Sequence, residues 1–267
     1  MVDRLKELML AAALPHDGVI DAGSWCAEVC GDSDITVREG ANAQLLIVDG
    51  DCTADVNIDV ERGAELRILH LVSHRSVVSV AVAMAEGAKC VMSQLVVSPS
   101  DTRVVASLMG RDAQFDFGGA FVLTDSDAAS VAVDVNHMSA DCKSRTVVKG
   151  VASGKSHGSF SGLVYVAPDA QRTNSEQLSR NITIGEARIE TLPQLEIYAD
   201  DVKCSHGATV GQMDADAVLY MRQRGLSLAT AKRLQIEGFV DDVVLHSSVE
   251  GVEDVLLELM AEKLNRL

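Results

Sequence analysis

A thiol and an imidazole stand two residues apart in the stretch Asp200-Asp201-Val202-Lys203-Cys204-Ser205-His206-Gly207. In extended backbone, residues i and i+2 share a face, so Cys204 and His206 point one way and Ser205 the other. Thiolate and imidazole both ligate iron, and a pair on one face makes half of a metal site. The remaining ligands must come from elsewhere in the chain or from a partner. The alternative reading of the pair is a buried thiol beside a hydrogen-bonded histidine at a strand end.

Other chemistry-bearing residues are less organised. Six cysteines lie at positions 26, 30, 52, 90, 142 and 204, without a CxxC pair. In a cytosolic chain of this size they read as reduced thiols. Cys26 and Cys30 form a C-x3-C pair with no matching second pair, which favours ordinary buried thiols. Gly150-Val151-Ala152-Ser153-Gly154-Lys155-Ser156 has three residues before its Gly-Lys-Ser. A phosphate loop needs four and a helix after it, whereas turn and strand follow here, so ATP binding by this loop is rejected. The histidines at 16, 70, 74, 137, 157 and 246 show no ligand spacing. His70 and His74 sit in a β segment, where four residues span about 13 Å. No nucleophile elbow occurs.

The elements that position these residues repeat. Arg38-Glu39-Gly40-Ala41 is echoed by Glu61-Arg62-Gly63-Ala64, Ala85-Glu86-Gly87-Ala88 and Gly110-Arg111-Asp112-Ala113. Between these turns run alternating segments such as Leu66–Leu71, Val77–Val82 and Ser130–Val135. Strands with a repeated turn and a period in the twenties predict a solenoid, here a β-helix, with a regular-turned β-sandwich as the rival. Stacked coils bury a continuous apolar column, and with 3% aromatics among 47% hydrophobic residues that column must be built from Val, Ala, Leu and Ile. After Asp214, an expected N-cap, the spacing turns helical. Ala217, Val218, Tyr220 and Met221 predict one helix ending at Gly225. Ser227 starts a second, to about Gly238, and Val252–Leu267 form a third, with Val255, Leu256, Leu259 and Leu264 on one face. Met1–Leu14 predicts a short amphipathic helix through Leu5, Leu8, Met9 and Ala12. The expected division is a short N-terminal helix over 1–15, a β-helix core over 16–212 and a C-terminal helical subdomain over 213–267.

The formal net charge of −16 repels phosphate backbones and anionic lipids, which argues against nucleic-acid and membrane partners. No run of about 18 apolar residues occurs, and the N-terminus does not read as a signal peptide, so a cytoplasmic location is expected.

With its flanks, Pro193-Gln194-Leu195-Glu196-Ile197-Tyr198-Ala199-Asp200-Asp201 before and Tyr220-Met221-Arg222-Gln223-Arg224-Gly225 after, the Cys204–His206 stretch resembles the SufB/SufD family of iron–sulfur cluster assembly proteins. The SufD type is the closer match, and the likeness is dense from about Phe160 to Val244. The resemblance implies a mainly β fold, a right-handed parallel β-helix followed by a C-terminal α-helical subdomain. It implies a scaffold and not an enzyme. Cys204 and His206 fall on family positions implicated in assembly of a transient iron–sulfur cluster at the interface with a second SufB/SufD-type chain, in a homodimer or heterodimer. A SufC-type ABC ATPase is the implied partner of the helical region. Two features depart from the SufB type: a cysteine expected near Leu178 and Ser179 is absent, and Gly207 stands where that type has Glu after the motif's His. The family also implies a larger N-terminal region than the short helix here. Cys90 and Cys142 are the reserve thiols. The rival functions are a β-solenoid enzyme acting on sugar or acyl groups, which one Trp, three Tyr and five Phe poorly equip for sugar stacking, and a structural subunit without metal.

Overall fold

The computed structural model describes residues 2–245, 249 and 251–265. His246 and Leu267 therefore lie outside the described residues. The chain opens with α1 (Val2–Met9) and continues through β1 (Ala12–Ala13), β2 (Val19–Ile20), β3 (Gly23–Val29), β4 (Ser33–Val37), β5 (Asn42–Asp49) and β6 (Thr53–Val60). Next come β7 (Glu65–Val72), β8 (Ser76–Met84), β9 (Lys89–Val96), β10 (Ser100–Leu108), β11 (Gln114–Leu123) and β12 (Ala128–His137). The last strands are β13 (Lys143–Gly154), β14 (His157–Val166), β15 (Thr173–Gly185), β16 (Arg188–Ile197) and β17 (Val202–Gly211). Three helices follow: α2 (Ala215–Gln223), α3 (Leu228–Leu245) and α4 (Glu253–Leu264).

Odd-numbered strands form one nine-stranded sheet and even-numbered strands an eight-stranded one, each in sequential order. Every pairing is parallel. One odd and one even strand make a coil, and the stack is a parallel β-helix. The expected solenoid is present, and the sandwich alternative is excluded by the uniformly parallel order.

The turn that closes each coil explains the sequence repeat. Gly40, Gly63 and Gly87 have φ near +65°, and the series continues with Asp112, Asp141 and Arg172 at +60°, +65° and +59°. Each donates its N–H to a carbonyl of the next coil, as Gly63 does to Glu86 and Asp141 to Gln171. The following residue, Ala64, Ala88, Ala113, Cys142 or Thr173, turns inward and is buried. Strands lengthen along the stack, from 8 residues in β5 to 13 in β15.

Between the sheets lies an apolar column in which every second residue is buried, as in β6, where Ala54, Val56, Ile58 and Val60 point inward. Each fully buried Val or Leu stabilises by roughly 1.5–3 kcal/mol. Small and branched side chains fill the narrow early coils. The wider middle takes Phe115, Phe117, Phe121 and Phe160, four of the five phenylalanines.

A second apolar layer lies on the outer face of the odd-strand sheet. Leu46, Leu69, Leu71, Leu95, Val122 and Val151 are covered there by Leu5 and Met9 of α1, by Ile236, Val240 and Val243 of α3, and by Val255, Leu256 and Met260 of α4. Lys149 Nζ donates to Phe239 O at 2.7 Å, and Lys263 Nζ pairs with Asp127 at 2.6 Å. The helices thus fold back over the β-helix.

Two expected boundaries shift, and one expected core residue is only partly covered. α1 ends at Met9, with Leu8 turned outward, and Ala12 enters a strand beside β3. The second C-terminal helix runs through the exposed Gly238 to Leu245, because Val240 and Val243 gain burial on the sheet. Leu259 of α4 is half-buried where Val255, Leu256 and Leu264 are buried. The capping expectation holds. The Asp214 carboxylate accepts from the Asp216 and Ala217 amides, and Ser227 Oγ accepts from Thr230 N.

Candidate functional site

β16 and β17 are the terminal strands of their sheets, so both sheets stop at the same end of the solenoid with an unpaired edge. Cys204 and His206 lie on β17, in register with Ser175 and Gln177 of β15. As the alternation predicts, the two share the inward face. Cys204 is half-buried beside a small apolar cluster that includes Val164, Val166 and Ala199, while His206, near the mouth, is exposed. Burial pushes the Cys204 thiol up from its ordinary range, partly offset by a hydrogen bond to the Ser175 backbone. At this end two inward positions carry exposed apolar side chains: Ile197, in register with the buried Val166, and Val210, in register with the buried Asn181.

Beneath the mouth the interior changes character. The inward face of β13 begins with Ser144 and Thr146 before returning to Val148 and Ala152, and that of β15 presents Ser175, Gln177, Ser179 and Asn181, all buried. A chain of hydrogen bonds runs from His137 Nε2 to Ser144 Oγ at 2.8 Å and from there to Ser175 Oγ at 2.8 Å. Burial lowers the His137 pKa to about 4, so the ring is neutral at physiological pH. His137 Nδ1, both amide atoms of Gln177 and Asn181 Oδ1 are buried without a hydrogen-bond partner among the described residues. Sequence reasoning missed this lining, because an alternating Ser-x-Gln-x-Ser-x-Asn pattern reads as an outward-facing polar row. The signal lay in its partners: Leu178 on the opposite face packs into the layer under the helices.

The other thiols stay apart from this pair. Cys90 shares the inward column of Phe115, Ser144, Ser175 and Cys204, but four strand spacings, about 19 Å, separate it from Cys204. Burial pushes its thiol up to about 12. Cys142 sits in a coil turn and bonds Gly110 O at 3.2 Å. Cys26 is buried as expected, whereas Cys30 is exposed. Among the described residues no three His, Cys, Asp or Glu side chains converge as a metal-holding group. Cys204 and His206 are therefore half of a ligand set at most. Position 207 lies on the opposite face from His206, and a Cβ there would meet Leu178 Cδ2 at 3.2 Å. A longer side chain at 207 would point away from the mouth.

A second buried network was also hidden from the sequence. Asp49 accepts from His70 Nε2 at 2.8 Å and from Ser76 Oγ at 2.9 Å, and Gln94 Nε2 reaches His70 Nδ1 at 3.0 Å. It holds the three types of a hydrolytic triad, but the serine bonds the carboxylate and not the imidazole. All four residues are buried, so the arrangement does not activate a nucleophile towards substrate. The Gly150–Ser156 loop ends a strand and leads straight into β14, with no helix to receive a phosphate.

Parallel solenoid, open edge and thiol–imidazole pair define a class, and comparison with known proteins gives it a family. Residues 27–239 match the model of the SufBD core domain of SUF-system FeS cluster assembly, and the chain belongs to the SufB/SufD family. It is 37% identical over 131 residues to the iron–sulfur cluster assembly protein SufD of Escherichia coli, which covers 49% of this chain and 31% of that protein. It is 50% identical over 86 residues to a SufBD family protein of Synechocystis, covering 32% of this chain and 19% of the relative. A chloroplastic protein of Arabidopsis thaliana matches over 95 residues at 40% identity, covering 35% and 20%. The chain thus spans about a third or less of these relatives' length. Among the described residues no helix is long and apolar enough to cross a membrane.

Proposed function

We propose that this chain is a scaffold subunit of SUF-type iron–sulfur cluster assembly. It pairs through the open end of its solenoid with a second SufB/SufD-type chain. Cys204 as thiolate and His206 as neutral imidazole supply this chain's share of the ligands for a cluster built at that interface. The cluster is cargo, held transiently and passed on. A SufC-type ABC ATPase docks on the C-terminal helices, and the assembly works in the cytoplasm without catalysis by this chain itself.

The observation that carries the reading is the placement of Cys204 and His206 on one face of an unpaired terminal strand, with the exposed apolar Ile197 and Val210 at inward positions of the same end. Unpaired edges attract a further strand, and a partner laid there brings the missing ligands to within reach. For the ATPase, the supporting feature is the exposed apolar set Leu219, Tyr220, Leu226, Leu228 and Leu234 on and between α2 and α3, outside the layer those helices share with the sheet.

The test is iron and acid-labile sulfide retained by the assembled complex after anaerobic reconstitution. Cys204→Ala and His206→Ala should each lower both while leaving thermal melts and ATPase retention unchanged, and Cys26→Ala, Cys30→Ala and Cys52→Ala should change little. Full retention by both site variants would make the pair structural.

A further inference from the structure

The pair at the mouth has a floor. Gln177 lies directly below His206 in the inward column of the odd-strand sheet, one strand spacing away, and Ser175 lies below Cys204. Gln177 is fully buried, and neither its Oε1 nor its Nε2 has a hydrogen-bond partner among the described residues. Room is made for its amide: a Cβ on Gly162, in the facing sheet, would stand 1.9 Å from Gln177 Nε2. A buried amide with both ends unpaired destabilises the free chain, and folded proteins seldom leave such groups without partners. Leu or Met would fill the same volume without that penalty. The orphaned amide lies one strand spacing beneath the layer of Cys204 and His206, with its nitrogen against Gly162 of the facing sheet, and its two ends match what a ligand pair there requires.

We propose that Gln177 is a positioning residue for the cargo held at Cys204 and His206. Its Oε1 accepts the N–H of the His206 ring, which fixes the tautomer and leaves the other ring nitrogen to bind metal. Its Nε2 donates to the sulfur side of the site, the Cys204 thiolate or a sulfide. Ligating histidines generally donate their second N–H to such a partner, and hydrogen bonds to sulfur tune iron–sulfur centres. This inference rests on the functional reading above.

The experiment uses the full chain, alone and in complex with its SufB/SufD-type and ATPase partners. Gln177→Met removes both polar ends at nearly constant length, and Gln177→Leu serves as a second filler. The complex is loaded anaerobically with ferrous iron and sulfide, and retained iron and sulfide are read together with the melting temperature of the free chain. The expected result has two opposite signs. The free chain melts at or above the wild-type temperature, while iron retention after dilution weakens roughly 10-fold, the scale seen when such supporting partners are removed. A purely structural amide would lower the melting temperature along with retention, and that result overturns the proposal. Cys204→Ala and His206→Ala are run in parallel. If they lose the cargo while Gln177→Met and Gln177→Leu keep it, the role of Gln177 fails and the site stands. If they also keep it, the site reading itself fails, and the proposal with it.

Discussion

His137 gives the β-helix an acid-sensitive layer whose size follows from the structure. Its ring is fully buried, and burial alone lowers its pKa from 6.5 to about 4. In the unfolded chain the same ring titrates at its ordinary value. Between those two values the unfolded state binds more protons, so stability is fully present above pH 6.5 and drains away as pH falls towards 4. The whole shift corresponds to roughly 3 kcal/mol, and by pH 5 about 2 kcal/mol of it is gone. His137→Gln removes the titration and keeps a nitrogen within reach of Ser144 Oγ. Urea unfolding of both proteins at pH 7.5 and pH 5.0 isolates the effect, because other ionisable groups contribute equally to each. The wild-type chain should lose about 2 kcal/mol more than the variant between the two pH values. Equal losses would show that His137 is not held neutral by burial, and the polar layer around Ser144 and Ser175 would need another description.

Two further outcomes are expected. Leu219→Ser with Tyr220→Ser should abolish co-purification of the SufC-type ATPase while thermal melts stay within a degree or two of wild type; undiminished retention moves the docking site elsewhere. Deleting the helices from Met213 onward is a poor substitute for that test, because it strips cover from Leu46, Leu69, Leu71 and Leu95. Gly162→Ala should destabilise the chain by about 1–3 kcal/mol, since its Cβ meets Gln177 Nε2 at 1.9 Å and Phe160 Cζ at 2.8 Å; a neutral melt would show that the last coils repack freely.

The solenoid was legible because a left-handed turn demands Gly or, failing that, Asp, and four such turns fall at near-constant intervals. The later turns were not, because Arg172 carries no sequence signal for positive φ and the interval lengthens to 31 residues. Capping chemistry at Asp214 and Ser227 marked the helix starts, yet Gly238 misled about one end. A glycine in an exposed helical position costs about 1 kcal/mol, and the burial of Val240 and Val243 beyond it outweighs that. The face shared by Cys204 and His206 followed from strand alternation alone. Their floor did not, because the rule that apolar residues point inward places Ser175, Gln177 and Asn181 on the wrong side. Only pairing partners reveal that the column turns polar near its end.

The open end also has a thermodynamic meaning. In a stack of coils each unit is held by its neighbours, and stability is close to a sum over adjacent pairs. The coil made by β16 and β17 has one such neighbour, where every interior coil has two. It therefore frays ahead of the interior coils, and its amides exchange with solvent ahead of those in β11 or β13. Whatever strand docks on that edge supplies the second neighbour. Binding and the ordering of the last coil then become one linked equilibrium, so that protection of the β17 amides should rise when an edge strand docks.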